Sequence, residues 1–300
     1  MKQVVSVSIG SSKRNHEATV EVMGEEFLLK RIGTDGDINK AIETIKNLDG
    51  KVDAIGLGGI DFYLFSKSKR YIIGDSRKFL NATKETPILD GSGLKNTLER
   101  RVIRQLQNQG IVNFKDQNVL LVCGMDRFGM ADEIEKLTNN IVIGDIMFAL
   151  GLSIPLHSLN SLDKVARAIA PIAIRLPFSV LYPTGKSQDN IVEKYGKYYA
   201  WADIIAGDYL MIKKHMPKSL LGKVIITNTT TKEDLEDLRN RGVKLLVTTT
   251  PELNGRSFGT NVMESMLVAL AGKKSELTEE EYFDLLEKLN FQPRLLWLQK

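Results

Sequence analysis

Two kinds of hydrophobic pattern follow each other along the first third of the chain. Residues 3–9, 17–22 and 25–31 alternate apolar and polar side chains, which predicts three strands of a small meander. A helix with Asp37 as its N-cap is expected next, and the segment 93–109 repeats apolar residues at helical spacing. The pattern therefore predicts an N-terminal mixed α/β domain, which we place at residues 1–112 and interpret as a substrate domain.

From Asn118 onward, short apolar runs alternate regularly with helical segments. The predicted strands are 119–124, 141–145, 179–183, 203–207, 224–228 and 244–249. Strands that alternate with helices predict βαβ units and a parallel sheet, and six of them match the doubly wound Rossmann-type dinucleotide-binding domain, here residues 117–272. A capping pattern at Thr278 opens a last helix, so we expect residues 275–300 to return to the first domain.

Composition narrows the class of protein. The 300 residues carry 41 basic and 37 acidic side chains, and no basic stripe is interleaved with aromatic residues, so we expect no nucleic-acid partner. No apolar run has the roughly 18–20 residues of a membrane helix, so no membrane partner is expected. One cysteine predicts a cytoplasmic location, and three scattered histidines predict no metal site. The apolar end 295–298 is expected to pack on the first domain or on a partner subunit, which would make a homodimer.

The turn after the first strand of the second domain carries a candidate nucleotide site. Gly124 ends the strand and Gly129 opens the helix, so a phosphate could approach free backbone N–H groups near Phe128. Arg127 could pair with a diphosphate, or be an exposed charge. Asp145 lies where an acidic residue binds a ribose 2′-hydroxyl, which predicts NAD rather than NADP, although it could simply cap a loop.

A second loop adds hydroxyl groups at the carboxyl end of a predicted strand. Thr249 and Thr250 follow the strand 244–249 and could hydrogen-bond a nicotinamide or a ribose. The alternative is that they only cap the following segment. Both residues are therefore candidates for cofactor binding.

The segment from Asp90 to Thr97 gathers candidate catalytic groups at a helix start. Lys95 would act as acid or base if a cleft lowered its pKa, and Asp90 could orient it. Asn96 and Thr97 could bind substrate hydroxyls, and Arg256, near the start of the last helix of the second domain, could bind a substrate carboxylate or phosphate. The alternative is that Ser92 or Asp90 caps the helix, Lys95 is solvated, and the segment around Arg256 only caps its own helix.

These residues lead to a family resemblance. The order of Asn96-Thr97, a helix, Gly110 and the strand 119–124 is similar to the shikimate/quinate dehydrogenase family. Thr248–Pro251 partly matches the Asn-Ala-Thr-Pro of its last Rossmann loop, and Met266–Val268 matches its Met-Leu-Val. The resemblance implies an NAD-dependent oxidoreductase acting on a small hydroxylated substrate, possibly carboxylated and quinate- or shikimate-like.

Two alternatives remain open from the residues. The family's catalytic aspartate is Leu98 here, which favours a non-catalytic nucleotide-binding or sensor protein with the same fold. The segment around Arg256 superficially resembles the donor-binding stretch of some two-domain glycosyltransferases. This favours a transferase that uses a nucleotide-linked donor.

Overall fold

The computed structural model describes residues 1–66, 69–175, 191–250, 252–253 and 256–299. The strand expected at 179–183 lies outside these residues. Among them, no helix combines the length and the apolar character needed to cross a membrane.

The described residues of the first part of the chain form a five-stranded sheet, a hairpin, three α-helices and one turn of 3-10 helix (Ser12–Arg14). In chain order the strands and α-helices are β1 (Lys2–Ser8), β2 (His16–Val22), β3 (Glu25–Gly33), α1 (Ile38–Leu48), β4 (Ala54–Gly58), β5 (Tyr63–Ser66), β6 (Lys69–Ile72), α2 (Ser76–Leu80), β7 (Ile88–Leu89) and α3 (Ser92–Asn108). Strands β5 and β6 form the separate hairpin.

The second part builds another sheet with its helices. In chain order these are β8 (Val119–Leu121), α4 (Phe128–Leu137), β9 (Ile141–Ile143), α5 (Asp145–Leu150), α6 (Leu159–Ala173), α7 (Gly196–Trp201), β10 (Ile204–Ala206), α8 (Tyr209–His215), β11 (Val224–Thr227), α9 (Lys232–Asn240) and β12 (Leu245–Thr248). After them come β13 (Glu252–Leu253), β14 (Arg256–Ser257), α10 (Thr260–Leu270), α11 (Glu279–Lys288) and β15 (Arg294–Trp297).

The first sheet is not the meander that the alternation predicts. Its order is β2-β3-β1-β4-β7, with β2 antiparallel to β3 but β1 parallel to both β3 and β4. The reason is burial: Val4 packs into one hydrophobic cluster while Val5 and Val7 pack into another, so β1 is covered on both faces. A strand buried on both faces belongs in the interior of a parallel sheet.

The second sheet differs from the expected Rossmann arrangement. Its order is β15-β12-β11-β10-β8-β9, with β8 to β12 parallel and β15 antiparallel to β12. Among the described residues the parallel strands therefore run 2-1-3-4-5, not 3-2-1-4-5-6, because only β9 lies beyond β8 there. The sixth strand comes from the C-terminal end of the chain. The fold is mixed α/β with two mainly parallel sheets.

The two sheets share helices. Helix α10 follows β12 along the chain yet packs on β1 and β4 of the first sheet, where the Asn261 side chain donates a hydrogen bond of 2.7 Å to the Ser6 hydroxyl. Helix α3 packs against α4 on one side and against α11 on another. One hydrophobic cluster consequently extends from Val4 in the first sheet to Leu121 in the second.

Candidate functional site between the two sheets

Charged residues converge where the strands of the two sheets end. Asp61 follows β4 of the first sheet, whereas Asp126 with Arg127 follows β8 and Asp208 follows β10 of the second. Helix α3 contributes the remaining members. We call the set the interlobe cluster: Asp61, Lys95, Glu99, Asp126, Arg127 and Asp208. In open α/β sheets this is the edge where ligands bind, beside the strands at which the order reverses.

Lys95 joins the two sheets at the centre of the cluster. Its ammonium nitrogen lies 3.1 Å from a carboxylate oxygen of Asp61 and 2.7 Å from one of Asp126. The Lys95 side chain is 9% exposed, against 19% for Asp61 and 29% for Asp126. The lysine is therefore covered, while both carboxylates keep an edge in contact with solvent.

Arg127 is buried and pairs with three acidic members of the cluster. Its guanidinium pairs with Glu99, and its Nη2 lies 3.2 Å from Asp208 Oδ2. Asp126 is 3.5 Å from the Arg127 Nε. The guanidinium thus holds three carboxylates of the protein, so it is not the exposed or diphosphate-binding charge that the sequence suggested.

Asp208 is positioned by the neighbouring strand ends. Its Oδ2 accepts a hydrogen bond of 2.8 Å from the Asn228 side chain, which in turn accepts one of 3.0 Å from the Thr227 hydroxyl. The Asp208 backbone N–H donates to the Cys123 sulfur at 3.2 Å. Donors and acceptors from three neighbouring strand ends are therefore in contact with one another.

The charges of the cluster set its protonation. Burial lowers the pKa of Lys95, but Asp126 and Asp61 more than offset this, so its pKa is raised and the group stays an ammonium. Burial raises the pKa of Asp126, yet Lys95 and Arg127 outweigh it and bring the pKa to about 2. The expectation that a cleft would lower the Lys95 pKa for acid–base catalysis is therefore opposed by its surroundings.

Two carboxyl groups of the cluster have raised pKa values, in contrast to Asp126. Burial, helped by Asp126 and opposed by Lys95, raises the pKa of Asp61 to about 7. Burial also raises the pKa of Glu99, against the pull of Arg127. The Glu99 Oε2 atom is buried and has no hydrogen-bond partner among the described residues, so the cluster retains an unsatisfied acceptor.

The glycine turn expected to cradle a phosphate is already occupied. Asp145 accepts hydrogen bonds from the backbone N–H of Gly124 at 2.6 Å and from that of Met125 at 2.8 Å. A carboxylate of the protein thus takes the N–H groups that a diphosphate would need, and the same contacts keep Asp145 away from a ribose. Burial raises the pKa of Asp145 to about 6 despite these donors.

The other candidate cofactor residues are buried or lie in contacts within the protein. A Cβ on Gly129 would collide with the backbone carbonyl oxygen of Asn96, so this glycine lets α4 approach α3 instead of a ligand. Phe128 packs against the main hydrophobic cluster. Thr249 and Thr250 are buried, and the Thr250 hydroxyl donates to a backbone oxygen of Asn228 at 3.3 Å.

Asp90 and Asn96, two of the candidate catalytic and substrate-binding residues, contact different parts of the protein and do not form one site with Lys95. Asp90 accepts hydrogen bonds from Phe62 and Ser92, and therefore does not orient Lys95. Asn96 donates to Glu279 at 2.6 Å, and the buried Thr97 hydroxyl has no partner among the described residues. The backbone of Arg256 belongs to β14, but its side chain lies outside the described part of the chain.

Sequence reasoning missed all four acidic members of the cluster. Asp61, Asp126 and Asp208 each follow an apolar strand within a few residues, and this common position was the available signal. Glu99 carried no such signal, because it lies inside α3 and meets Arg127 only after folding. Within the described residues, no group of three or more His, Cys, Asp or Glu side chains is arranged to hold a metal ion.

Fold and site together define a two-sheet α/β protein with a charged, polar site at facing strand ends. The chain belongs to the family described as "Domain of unknown function (DUF8754)", whose model matches residues 93–298. Residues 3–90 match a second model, "Domain of unknown function (DUF8753)". No curated protein matches the chain.

Several solved structures resemble the chain over nearly its whole length. A glucose-galactose binding protein from Geobacillus stearothermophilus is 12% identical, with 99% of this chain and 97% of that chain covered and a TM-score of 0.41. A galactofuranose binding protein is 13% identical, with 97% and 99% covered and a TM-score of 0.37. The periplasmic arabinose-binding protein of Shewanella sp. ANA-3 is 11% identical, with 96% and 95% covered and a TM-score of 0.36.

The dehydrogenase interpretation is wrong. The family models that match residues 3–90 and 93–298 are not models of shikimate or quinate dehydrogenases. The structure gives the physical reason, since Asp145 and Arg127 are engaged by the protein itself. Neither NAD as cofactor nor oxidation of a hydroxylated substrate is retained.

Proposed function

We propose that this protein binds a small, uncharged, polyhydroxylated molecule at the interlobe cluster. The observation that carries the proposal is the exposure of three carboxylates from both sheets around two covered cations. Asp61, Asp126 and Asp208 are 19%, 29% and 22% exposed, whereas Lys95 and Arg127 are 9% and 3% exposed. The solvent-facing surface of the site therefore consists mainly of hydrogen-bond acceptors.

Hydroxyl groups suit this surface. A hydroxyl donates one hydrogen bond and accepts two, so neighbouring hydroxyls of one ligand could donate to Asp208 and Asp126 while accepting from Asn228 or Lys95. Each of these carboxylates already contacts a cation, so a neutral ligand adds no unpaired charge to the cluster. The names of the similar structures add nothing to this argument, because their TM-scores are below 0.5.

Titration calorimetry with a panel of pentoses, hexoses and linear sugar alcohols tests the proposal. We expect at least one compound to bind the wild type, and Asp208→Asn to weaken that binding about tenfold. A hydrogen bond to a charged group contributes about 1.5–3 kcal/mol, and the amide keeps the size of the side chain. Asp116→Asn is the matched control, because Asp116 is exposed and lies outside the cluster.

Two results would overturn the proposal. One is the absence of binding by any compound of the panel to the folded wild type. The other is equal affinity of the Asp208→Asn and Asp116→Asn variants, which would place the binding site elsewhere.

A further inference from the structure

Two adjoining cavities lie beside the β5–β6 hairpin, and no member of the interlobe cluster lines either of them. The larger has a volume of about 680 Å³ and runs along the edge strand β7, and the smaller has about 300 Å³. Both are lined by Arg70 of β6 and by Glu276 of the segment before α11. We call the two cavities together the hairpin trough. The larger one has the size of an ordinary small-molecule pocket, about 300–1,000 Å³.

The contacts of Arg70 indicate which chemical group the lining of the trough can bind. Its guanidinium carbon lies 3.4 Å from the centre of the Tyr63 ring and 5.5 Å from that of Phe65. Its Nη1 pairs with Glu276 at 2.8 Å, and its Nη2 donates to the Ser92 hydroxyl at 3.3 Å. Aromatic faces next to a carboxylate form a cation-binding arrangement, and a cation of the protein occupies it.

Acidic side chains outnumber basic side chains around the trough. The ionisable lining groups, apart from Tyr63 and Tyr282, are the acids Glu85, Asp90, Glu264, Glu276 and Glu279 and the bases Arg70, Lys84 and Lys274. Burial, reinforced by Asp90 and Glu276, raises the pKa of Glu264 to about 8, so added positive charge would relieve this crowding. Phe62 and Leu80 are among the apolar residues that line the larger cavity.

We propose that the hairpin trough binds a linear aliphatic diamine or polyamine. One ammonium group takes the place of the Arg70 guanidinium between Tyr63 and Glu276, and the methylene chain lies along the apolar wall of the larger cavity. Arg70 is then a built-in competitor, which swings toward solvent when the ligand enters. This role is open to it because its side chain is already 34% exposed.

Calorimetry with 1,4-diaminobutane and spermidine tests the proposal, with 1,4-butanediol as the uncharged control ligand. We expect both amines to bind and the diol not to bind. Glu276→Gln should weaken amine binding about tenfold, because it removes the carboxylate that pairs with the ammonium. Glu280→Gln is its control, since it changes net charge equally at an exposed position of α11 outside the trough.

The variant Arg70→Met distinguishes a ligand site from a merely structural ion pair. Removing the competitor should tighten amine binding about fivefold or more, whereas Arg77→Met, at an exposed position of α2, should leave it unchanged. The proposal is overturned if neither the wild type nor Arg70→Met binds either amine, or if Glu276→Gln binds as Glu280→Gln does. Sugar binding at the interlobe cluster is probed by Asp208→Asn, so either proposal can fail without the other.

Discussion

At the scale of single residues, neighbours along the chain have different tasks in the fold. Arg127 and Asp126 are adjacent, yet the arginine is buried against Glu99 while the aspartate keeps an exposed edge beside Lys95. Removing one partner of a buried pair such as Glu99–Arg127 typically costs about 3–5 kcal/mol, because a charge is left uncompensated. The residue types indicated polar chemistry in this turn. They did not show that Arg127 would form a buried ion pair within the protein while Asp126 stayed partly exposed.

We expect Asp61 to make the stability of the fold depend on pH. Its pKa rises from 3.8 in the unfolded chain to about 7 in the fold, so between these values the native state holds a proton that the unfolded state has lost. The contribution of Asp61 to the free energy of unfolding therefore falls as pH rises from 4.5 to 7, by up to about 1.4 kcal/mol per pH unit. Urea unfolding of the wild type and of Asp61→Asn between pH 4.5 and 7 measures this contribution to the free energy of unfolding.

The quantity to compare is the wild-type value minus the variant value at each pH. This difference should decrease as pH rises, since the amide does not titrate. A difference that stays flat or increases would show that the Asp61 pKa is not raised.

At the scale of elements, the sequence predicted where helices begin but not which strands pair with each other. Asp37 caps α1 by accepting from the Lys40 N–H, and Thr278 forms a capping box with Glu281, as local spacing predicts. The pairing of β1 with β3 and β4 has no comparable local signal. The approach of α3 to α4 likewise depends on a glycine whose role sequence reasoning assigned to phosphate binding.

We expect Gly129→Ala to destabilise the fold by about 1–3 kcal/mol, the range for forcing extra atoms into a packed contact. The new Cβ would lie 3.0 Å from the carbonyl carbon of Asn96 and still closer to its oxygen, so α4 would have to move away from α3. Gly196→Ala is the matched control, because a Cβ there meets nothing within 4 Å. Denaturant unfolding of both variants checks the prediction, and equal stability of the two would refute it.

At the scale of the whole molecule, the chain crosses between its sheets more than once. Helix α10 covers the first sheet after the chain has built β12 of the second, and β15 then returns to pair with β12. The hydrophobic cluster that contains Val4 also contains Leu121 and Met266. The two sheets are therefore expected to unfold as one cooperative unit. The cytoplasmic location and the homodimer stay predictions of the sequence.

A fragment of residues 1–112 should consequently fail to fold alone, because it lacks the α10 side chains that cover β1 and β4. We expect circular dichroism of the fragment to show no cooperative thermal transition, while the full chain shows a single one. A cooperative transition in the isolated fragment would mean that the first sheet is stable without α10.

The amino-acid order alone was enough to place most helices and strands and to recognise a mixed α/β protein with parallel strands. Those features depend on contacts within a few residues, such as the hydrogen bond from the Lys40 N–H to Asp37. The strand order, the transfer of α10 to the first sheet and the interlobe cluster depend on contacts across long stretches of chain, such as Lys95 with Asp61 and Asp126. Which carboxylate would fill the glycine turn was also settled by folding, because Asp145 reaches Gly124 only when β8 and β9 lie side by side.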